Sequence, residues 1–379
     1  MKQFGFASSF LCAAVLVSGA SGARMLAQLP ANAVLYASGL EGPRGLAFGP
    51  DGTLYVAEAG LGGKTVGNCV QVIPPIGPYT GGLTARISKV DTKQNVTTLT
   101  SGLPSSVGAT GAVLGVADVT FLNGDLYAVL AGGGCSHGNA AFPNQILKVN
   151  TKTGNWTSVA NLSQALLNFP AKYTSPDDYE PDGTWYGMIS SQGSLYTVEP
   201  NHGQLFSVTP WGKVQEVIDV SASQGHIVPT SLVMTDGVFY VGNLNLFPID
   251  PQWAKVMTIA NNVYVPNPLP GFGNLFGGFG QWNVVSSKAG FTTIVSMKIG
   301  PDGLLYVLEL SDFAAKGPTP GMGKVIRVKR SGDLQEVVTG LSFPTGMTFG
   351  PDQRLYVSNL GIVGGAAGQI LRIDLPAVQ

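Results

Sequence analysis

The chain has 379 residues, of which 52 are Gly and 25 are Pro, and only 11% are charged, against about a quarter in an ordinary soluble domain. With 21 basic and 22 acidic residues, its formal net charge is -1, which excludes the broad positive field that nucleic acid or an anionic membrane surface requires. A hydrophobic content of 44% excludes a disordered chain, and the scarcity of charge excludes a long coiled coil. The remaining class is a turn-rich globular protein.

The first 23 residues have the pattern of a secretory signal peptide. Lys2 gives a basic start, Phe4 to Val17 is an apolar run, and Ser18 to Ala23 are small residues suited to a signal peptidase. The alternative is an N-terminal anchor helix, although the apolar run is short for a membrane span. We therefore predict a signal peptide over residues 1–23 and one mature domain over 24–379, secreted or periplasmic and near neutral in charge.

One sequence pattern then recurs six times. It runs from Pro43 to Glu58, returns from Pro344 to Asn359, and appears a third time from Ile299 to Glu309. Three weaker copies centre on Tyr127, Tyr196 and Tyr240. Each copy combines two runs of apolar alternation with a tight turn made by Gly, Pro, Asp or Asn, which is typical of a β-hairpin.

Further strands follow most of the hairpins. Third strands are predicted at 85–90, 145–149, 204–208, 324–328 and 369–373, and fourth strands at 95–99, 156–159, 213–218 and 334–338. Four antiparallel strands per unit, repeated radially, indicate a β-propeller. The sequence therefore predicts an all-β fold with six blades.

The last unit lacks a fourth strand, because it stops after Ile373. A strand at Val34–Ser38 stands before the first hairpin and is followed by Gly39 and Leu40, as Thr339 is followed by Gly340 and Leu341 before the last hairpin. We predict that the N-terminal strand completes the sixth blade and closes the ring, which removes an exposed sheet edge.

The hairpin units resemble the NHL repeat, through Pro43-Arg-Gly-Leu-Ala47 and Leu54-Tyr-Val-Ala-Glu58, where Glu58 replaces the usual Asp. Over nearly its whole length the chain is similar to the exported ScyD/ScyE family of bacterial proteins. It is more distantly similar to the gluconolactonase and strictosidine synthase propellers. The resemblance implies a six-bladed propeller; most members of the ScyD/ScyE family lack an assigned activity.

Long loops of the predicted propeller gather on one face, since links from second to third strands and links between blades emerge together. They are residues 60–84, 131–144 and 311–323 within blades, and 161–182, 221–226 and 261–289 between blades. Binding residues usually lie on such loops, so a site is expected on this loop-rich face, at the mouth of the central channel. The Gly- and Phe-rich segment 261–291 is either a lid over an apolar ligand or a loop packed by its rings.

A polar ring is expected three residues after each repeated Tyr, at Glu58, Leu130, Glu199, Asn243, Glu309 and Asn359. Carboxylates and amides at one rim are ligands that calcium prefers, and Glu58, Glu199, Asn243 and Glu309 are the candidate metal ligands. The alternative is that each side chain bonds backbone groups at its own strand end.

The residue that starts each inner strand is less regular. The six are Arg44, Ala117, Tyr186, Thr230, Val295 and Thr345. Arg44 can pair with an anionic group, and Tyr186 can stack or donate a hydrogen bond. With His202, we predict that Arg44, Tyr186, Thr230 and Thr345 bind a ligand at the channel mouth.

All three histidines fall on the loop-rich face, as His137, His202 and His226. With Glu199 they could form a metal or acid/base cluster. Because each stands in a Gly-containing loop without a known ligand spacing, we expect solvated loop histidines.

Cys69 and Cys135 lie in neighbouring insertions of a chain expected to be exported, which favours a disulfide between them.

Two functions remain open, and no catalytic residue is assigned. The first is a binding or scaffolding module, monomeric, that takes a small molecule or protein on the loop-rich face. The second is a metal-dependent hydrolase or lactonase of the gluconolactonase type, with a divalent cation such as calcium.

Overall fold

Six antiparallel sheets surround a central axis in the computed structural model, and the inner strand of each contacts the inner strands of its two neighbours. The predicted six-bladed β-propeller is therefore confirmed. The structure describes residues 29–67, 69, 77–245, 250, 253–261, 264–265, 269–273, 275–276, 280–312 and 318–378. The predicted signal peptide lies outside these residues.

The strands are labelled in chain order and grouped by blade. Blade 1 has β2 (Pro43–Phe48), β3 (Leu54–Glu58), β5 (Thr80–Val90) and β6 (Val96–Val107), with the short strands β4 (Thr65–Val66) and β7 (Val113–Leu114). Blade 2 has β8 (Val116–Leu122), β9 (Asp125–Leu130), β10 (Gln145–Val149) and β11 (Trp156–Asn161). Blade 3 has β12 (Met188–Ser191), β13 (Ser194–Glu199), β14 (Gln204–Val208) and β15 (Val214–Asp219).

Blade 4 has β16 (Pro229–Thr235), β17 (Val238–Asn243), β18 (Lys255–Ala260) and β21 (Asn283–Ala289), and a separate pair is formed by β19 (Tyr264–Val265) and β20 (Leu275–Phe276). Blade 5 has β22 (Ile294–Ile299), β23 (Leu305–Glu309), β24 (Gly323–Val328) and β25 (Leu334–Leu341). Blade 6 has β26 (Gly346–Phe349), β27 (Leu355–Asn359), β28 (Gly368–Ile373) and β1 (Ala33–Leu40). The described helices are α1 (Leu162–Asn168), α2 (Ser221–Gln224) and a 3-10 turn at Pro176–Asp178.

The repeated Tyr explains how neighbouring blades pack. Tyr55 meets Phe121 of the next blade edge-on with ring centroids 5.2 Å apart, and Tyr356 meets Phe48 at 4.9 Å. The Tyr356 hydroxyl also donates to Asp352 of its own turn at 3.0 Å. The motif therefore supplies both a contact between blades and a turn anchor, and edge-on aromatic pairs add stability beyond the area they bury.

Ring closure follows the predicted route. Strand β1 pairs antiparallel with β28, from Ala33 opposite Ile373 to Leu40 opposite Gly368. It is longer than the predicted 34–38, because Leu40 is fully buried against its blade. The edge of β28 is thereby covered.

Blade 1 departs from the prediction at its outer hairpin. Strand β5 begins at Thr80 and β6 continues to Val107, so the hairpin extends well beyond the predicted strands 85–90 and 95–99. Glycines hid this extension from the sequence analysis, since they disfavour strands. Gly81 is required there, because a Cβ would lie 2.5 Å from the carbonyl oxygen of His137.

Blade 4 corrects a second expectation. The sequence predicts a link between blades over residues 261–289, but Asn283–Ala289 is the fourth strand of blade 4 and pairs with β18. The preceding segment thus joins third and fourth strands and belongs to the face opposite the loop-rich face. There Phe272 packs on Tyr240 at 4.9 Å and Trp282 on Phe239 at 5.1 Å. A lid over the loop-rich face is excluded for the described part of this segment.

The predicted disulfide between Cys69 and Cys135 is confirmed, with the two Cα atoms 5.9 Å apart. It joins the insertions of blades 1 and 2. The next residue, Ser136, donates from its backbone nitrogen and its hydroxyl to the Asp182 carboxylate at 2.9 and 2.7 Å. The disulfide therefore supports the link that enters blade 3.

We expect reduction of this disulfide to lower the free energy of unfolding by ~2–4 kcal/mol, because it closes a loop with a sequence separation of 66 residues. Urea unfolding with and without a reductant measures the effect. The double variant Cys69→Ser/Cys135→Ser should match the reduced protein and show no response to the reductant. An equal urea midpoint for oxidised and reduced wild type would contradict this.

Candidate functional site

A cavity of about 130 Å³ lies on the loop-rich face where the inner strands begin, and we call it the cup. Its floor is formed by residues within two positions of the start of an inner strand, namely Arg44, Tyr186, Thr230, Val295 and Thr345. The Tyr186 hydroxyl donates across the axis, from blade 3 to the Thr345 carbonyl of blade 6, at 3.3 Å. Below this level the next void measures about 20 Å³, enough for about one water molecule. The cup is therefore closed at its base.

The cup has an apolar side and a polar side. Blades 4 to 6 contribute the apolar side chains Val228, Leu244, Val295, Leu310 and Ile362. The charged side chains of the lining come from blades 1 to 3 and their links, which contribute Arg44, Tyr79, Asp178, Glu180 and Asn201 together with the apolar residues Ala112, Val113, Leu114 and Pro200. This division suits a ligand with an apolar body and a polar group at one end.

Four of the five residues predicted to bind a ligand line the cup, namely Arg44, Tyr186, Thr230 and Thr345. Two of these already use their hydroxyl groups between blades: Thr230 donates to the Ile294 carbonyl and Thr345 to the Pro43 carbonyl. Their hydroxyls therefore hold the ring together. The fifth residue, His202, lies behind the wall, where Tyr179 meets its ring edge-on at 5.3 Å.

An acidic turn forms the polar wall. The 3-10 turn at Pro176–Asp178 and the turn from Glu180 to Gly183 bring the link between blades 2 and 3 across the channel mouth. The Glu180 backbone nitrogen donates to the Asn201 side chain at 2.6 Å, and Tyr79 donates its hydroxyl to the Glu180 carboxyl at 3.1 Å. These bonds fix the Glu180 carboxyl group in a buried position beside the cup, where the Asp178 carboxyl group is buried as well.

His137 and His202 are buried around this turn and the His226 side chain is only 9% exposed, so the expectation of solvated loop histidines is wrong. His226 Nε2 lies 2.8 Å from Asp178 Oδ2, and His202 Nδ1 lies 2.9 Å from Glu199 Oε2. His137 Nε2 donates to the Gly183 carbonyl at 3.1 Å, which leaves Nδ1 to accept from Ser106 at 3.1 Å. The loops fold toward the protein interior because each imidazole ring has a polar partner at that position.

Burial is the main influence on the pKa values of the two carboxyl groups in the polar wall. It raises the pKa of Asp178 to about 6, although the hydrogen bond and charge of His226 oppose the rise. Burial, reinforced by the negative charges of Asp178 and Glu199, holds the pKa of Glu180 well above the usual value for a carboxyl group. Burial also lowers the pKa of His137. Both shifts favour the neutral forms of Glu180 and His137, whose Oε2 and Nε2 atoms lie 3.5 Å apart.

Glu199 and His202 form the charged pair behind the wall. Burial opposes the charge on both groups, but their mutual attraction and hydrogen bond outweigh it, so the pKa of Glu199 is lowered and that of His202 is raised. Glu199 also accepts hydrogen bonds from the backbone nitrogens of Thr184, Asn201 and His202. It thus ties the acidic turn to the end of strand β13.

The other members of the predicted polar ring make similar bonds. Glu58 accepts from the Glu41 backbone, Glu309 from the Thr292 backbone, Asn243 from the Lys255 backbone and Asn359 from the Ser342 backbone. Each is engaged at the entrance to a strand of its own blade. Among the residues that the structure describes, no three His, Cys, Asp or Glu side chains form a group that could hold a metal ion, so Glu58, Glu199 and Glu309 are not brought together. Calcium binding by these residues stays a prediction.

We expect the pH dependence of stability to report Asp178. Its folded pKa of about 6 lies above the ordinary 3.8, so the folded state holds the proton more tightly and stability falls as pH rises through this interval. Between pH 3.5 and 7 wild type should lose ~2–3 kcal/mol relative to Asp178→Asn, measured by urea unfolding. The exposed turn variant Asp236→Asn is the control and should parallel wild type. Parallel curves for wild type and Asp178→Asn would contradict the assignment.

No family model and no curated protein matches the chain. Solved structures do match its fold. A gluconolactonase from Xanthomonas campestris is 12% identical over 90% of this chain and 89% of its own, with a TM-score of 0.52. A protein of unknown function from Bacteroides thetaiotaomicron is 10% identical over 90% of this chain and 76% of its own, with a TM-score of 0.55. At such identities the likeness shows the propeller fold alone, and membership of the ScyD/ScyE family stays a prediction.

A search of the described residues for a helix long and apolar enough to cross a membrane finds none.

Asp178 and Glu180 line the cup, but neither was predicted from the sequence as a site residue. A signal was present, since four acids stand between 177 and 182 in a chain with only 22 in total. Nothing local to that segment shows that it crosses the channel mouth. The contacts that place it there come from Ser136, Asn201 and Tyr79, far away in sequence.

Proposed function

We propose that the protein is an exported binding protein that holds a small molecule in the cup. The observation that supports this most is a cavity, closed at its base, with an apolar side facing buried polar side chains. Burying Arg44, Asp178 and Glu180 is unfavourable for folding, so their collection at one cavity points to use by a ligand.

Backbone strain at the cup supports the same proposal. Val228 lines the cup and has φ of 54°, a left-handed conformation that is rare for a β-branched residue. Such strain persists where the surrounding structure imposes it and is concentrated at binding sites.

A thermal-shift screen of small metabolites tests the proposal. A bound molecule should raise the melting temperature of wild type, and Val295→Phe, which fills the cup from its floor, should abolish the rise. Leu334→Phe, at the half-exposed start of β25, is the matched control and should keep the response. Ligands that stabilise Val295→Phe as well as wild type would place binding elsewhere and contradict the proposal.

A metal-dependent hydrolase is the second candidate. The Asp178–His226 pair favours it, because a carboxyl group with a pKa of about 6 in a cavity wall can act as a general base. The proposed calcium ligands Glu58, Glu199, Asn243 and Glu309 each accept a hydrogen bond from a backbone nitrogen. We expect no hydrolysis of glucono-δ-lactone with or without calcium. Calcium-dependent hydrolysis that Asp178→Asn abolishes would make the hydrolase the better account.

A further inference from the structure

Arg44 carries a positive charge in the cup that no neighbouring carboxylate among the described residues neutralises. Its side chain is 8% exposed and lines the cavity, and Nη2 donates to the Val113 carbonyl at 2.6 Å. Among the described residues no carboxylate lies within 4.0 Å of this guanidinium. A buried cation is normally paired, because removing it from water is otherwise costly.

The remaining donors of Arg44 face open space. A guanidinium carries five N–H groups, and one is used by Val113. None of the other nitrogens belongs to the described polar atoms that are both fully buried and without a hydrogen bond. They are therefore accessible from the cavity that the side chain lines, and they can donate hydrogen bonds to two oxygen atoms of a ligand.

The acids of the wall do not balance this charge. Burial holds the pKa of Glu180 well above its usual range, Asp178 is paired with His226, and Glu199 is paired with His202. Asp118 lies in the channel below, where burial raises its pKa. The described lining of the cup thus combines apolar surface with an Arg44 guanidinium that has no carboxylate partner within 4.0 Å.

We infer that Arg44 receives the carboxylate of a small apolar monoanion, whose body lies against Val228, Val295 and Leu310. This inference rests on the proposed function and names its ligand class. The Val113 carbonyl holds the Arg44 guanidinium at Nη2, and the Arg44 backbone is fixed because Ser358 donates to its carbonyl at 2.6 Å and a Cβ on Gly346 would lie 2.3 Å from that oxygen. A rigid guanidinium loses little freedom on binding, which favours affinity.

The size of the cup limits the ligand. A cavity of about 150 Å³ in another protein accommodates benzene, and the cup measures about 130 Å³. One aromatic ring, or a branched chain of similar volume, fills it with the carboxylate at Arg44. Larger acids would project through the mouth toward Ile362.

Phenylacetate and phenylacetamide provide a matched pair of probes that differ in charge and little in shape. Calorimetric titration of wild type at pH 7 should show phenylacetate binding at least tenfold more tightly than phenylacetamide, because a charge-assisted bidentate bond forms only with the anion. In Arg44→Gln the advantage should vanish while phenylacetamide affinity changes less than threefold. Arg354→Gln, on the exposed surface beside Asp374, should keep the full advantage.

The wild-type comparison needs no variant, so it remains decisive if Arg44→Gln fails to fold. Equal affinities for the two probes would overturn the inference and leave the proposed function standing. Failure of both probes to bind would overturn the inference together with the proposed cup. A carboxylate preference that survives in a folded Arg44→Gln would assign the anion to another group and also overturn the inference.

Discussion

A chain that begins at Glu41, and so lacks strand β1, should melt about 10 °C or more below one that begins at Pro30. Strand β1 supplies the fourth strand of blade 6, buries Ala37 and Leu40, and covers the edge of β28. The preceding Asn32 also donates to the carbonyls of Val337 and Asp374 at 2.9 and 3.0 Å, which joins blades 5 and 6. Losing these contacts removes several kcal/mol and opens the ring.

Differential scanning calorimetry of the two chains measures this loss. The chain that begins at Pro30 keeps every bond of β1 and serves as the control. Addition of a peptide with the sequence of residues 30–41 should restore part of the lost melting temperature, because the vacant edge of β28 remains its binding site. Equal melting temperatures for the two truncated chains would show that closure contributes nothing to stability.

Replacing Glu199 by Ala should lower the free energy of unfolding by ~3–5 kcal/mol. The substitution leaves the buried donors of Thr184, Asn201 and His202 without their acceptor and removes the counter-ion of the His202 ring. Glu199→Gln keeps an acceptor oxygen, so its loss should be clearly smaller. Urea unfolding measures both, and a loss below 1 kcal/mol for Glu199→Ala would contradict the structural role of this carboxylate.

The Glu199–His202 pair also gives the free energy of unfolding a characteristic pH dependence. Because the folded pKa of Glu199 is lowered, its contribution is present above the ordinary carboxyl pKa and is lost as pH falls through the folded value. Because the folded pKa of His202 is raised, its contribution is present below the ordinary His pKa and is lost as pH rises through the folded value. The difference in stability between wild type and Glu199→Ala should therefore be largest between these limits.

The repeat made most of the fold predictable. The hairpin motif carries its own turn residues and its own Tyr, so six copies specify six blades without knowledge of distant contacts. Closure was predictable because Val34–Ser38 is a strand without a hairpin partner. Blade 4 was harder, since its third strand, Lys255–Ala260, stands between two irregular segments and its fourth strand, Asn283–Ala289, follows a Gly-rich segment with no turn motif.

The location of the candidate site could be predicted from the sequence, but the acidic turn and the buried histidines that form its wall could not. Regular topology places Arg44 and Tyr186 at the channel mouth, because both lie within two residues of the start of an inner strand. The acidic turn depends on contacts from three other segments, which no local pattern encodes. The burial of His137 depends likewise on the long β5–β6 hairpin, where Gly81 packs against the His137 backbone.

A crystal soaked with a mixture of small aromatic acids, amides and alcohols shows directly whether a ligand binds in the cup. A larger groove, of about 590 Å³, lies between the outer strands of blades 3 and 4, and Glu216 and Trp282 help to line it. We predict electron density for a fragment in the cup, in contact with Arg44 and Val295. Density for fragments in the outer groove, with the cup holding only water, would contradict the account.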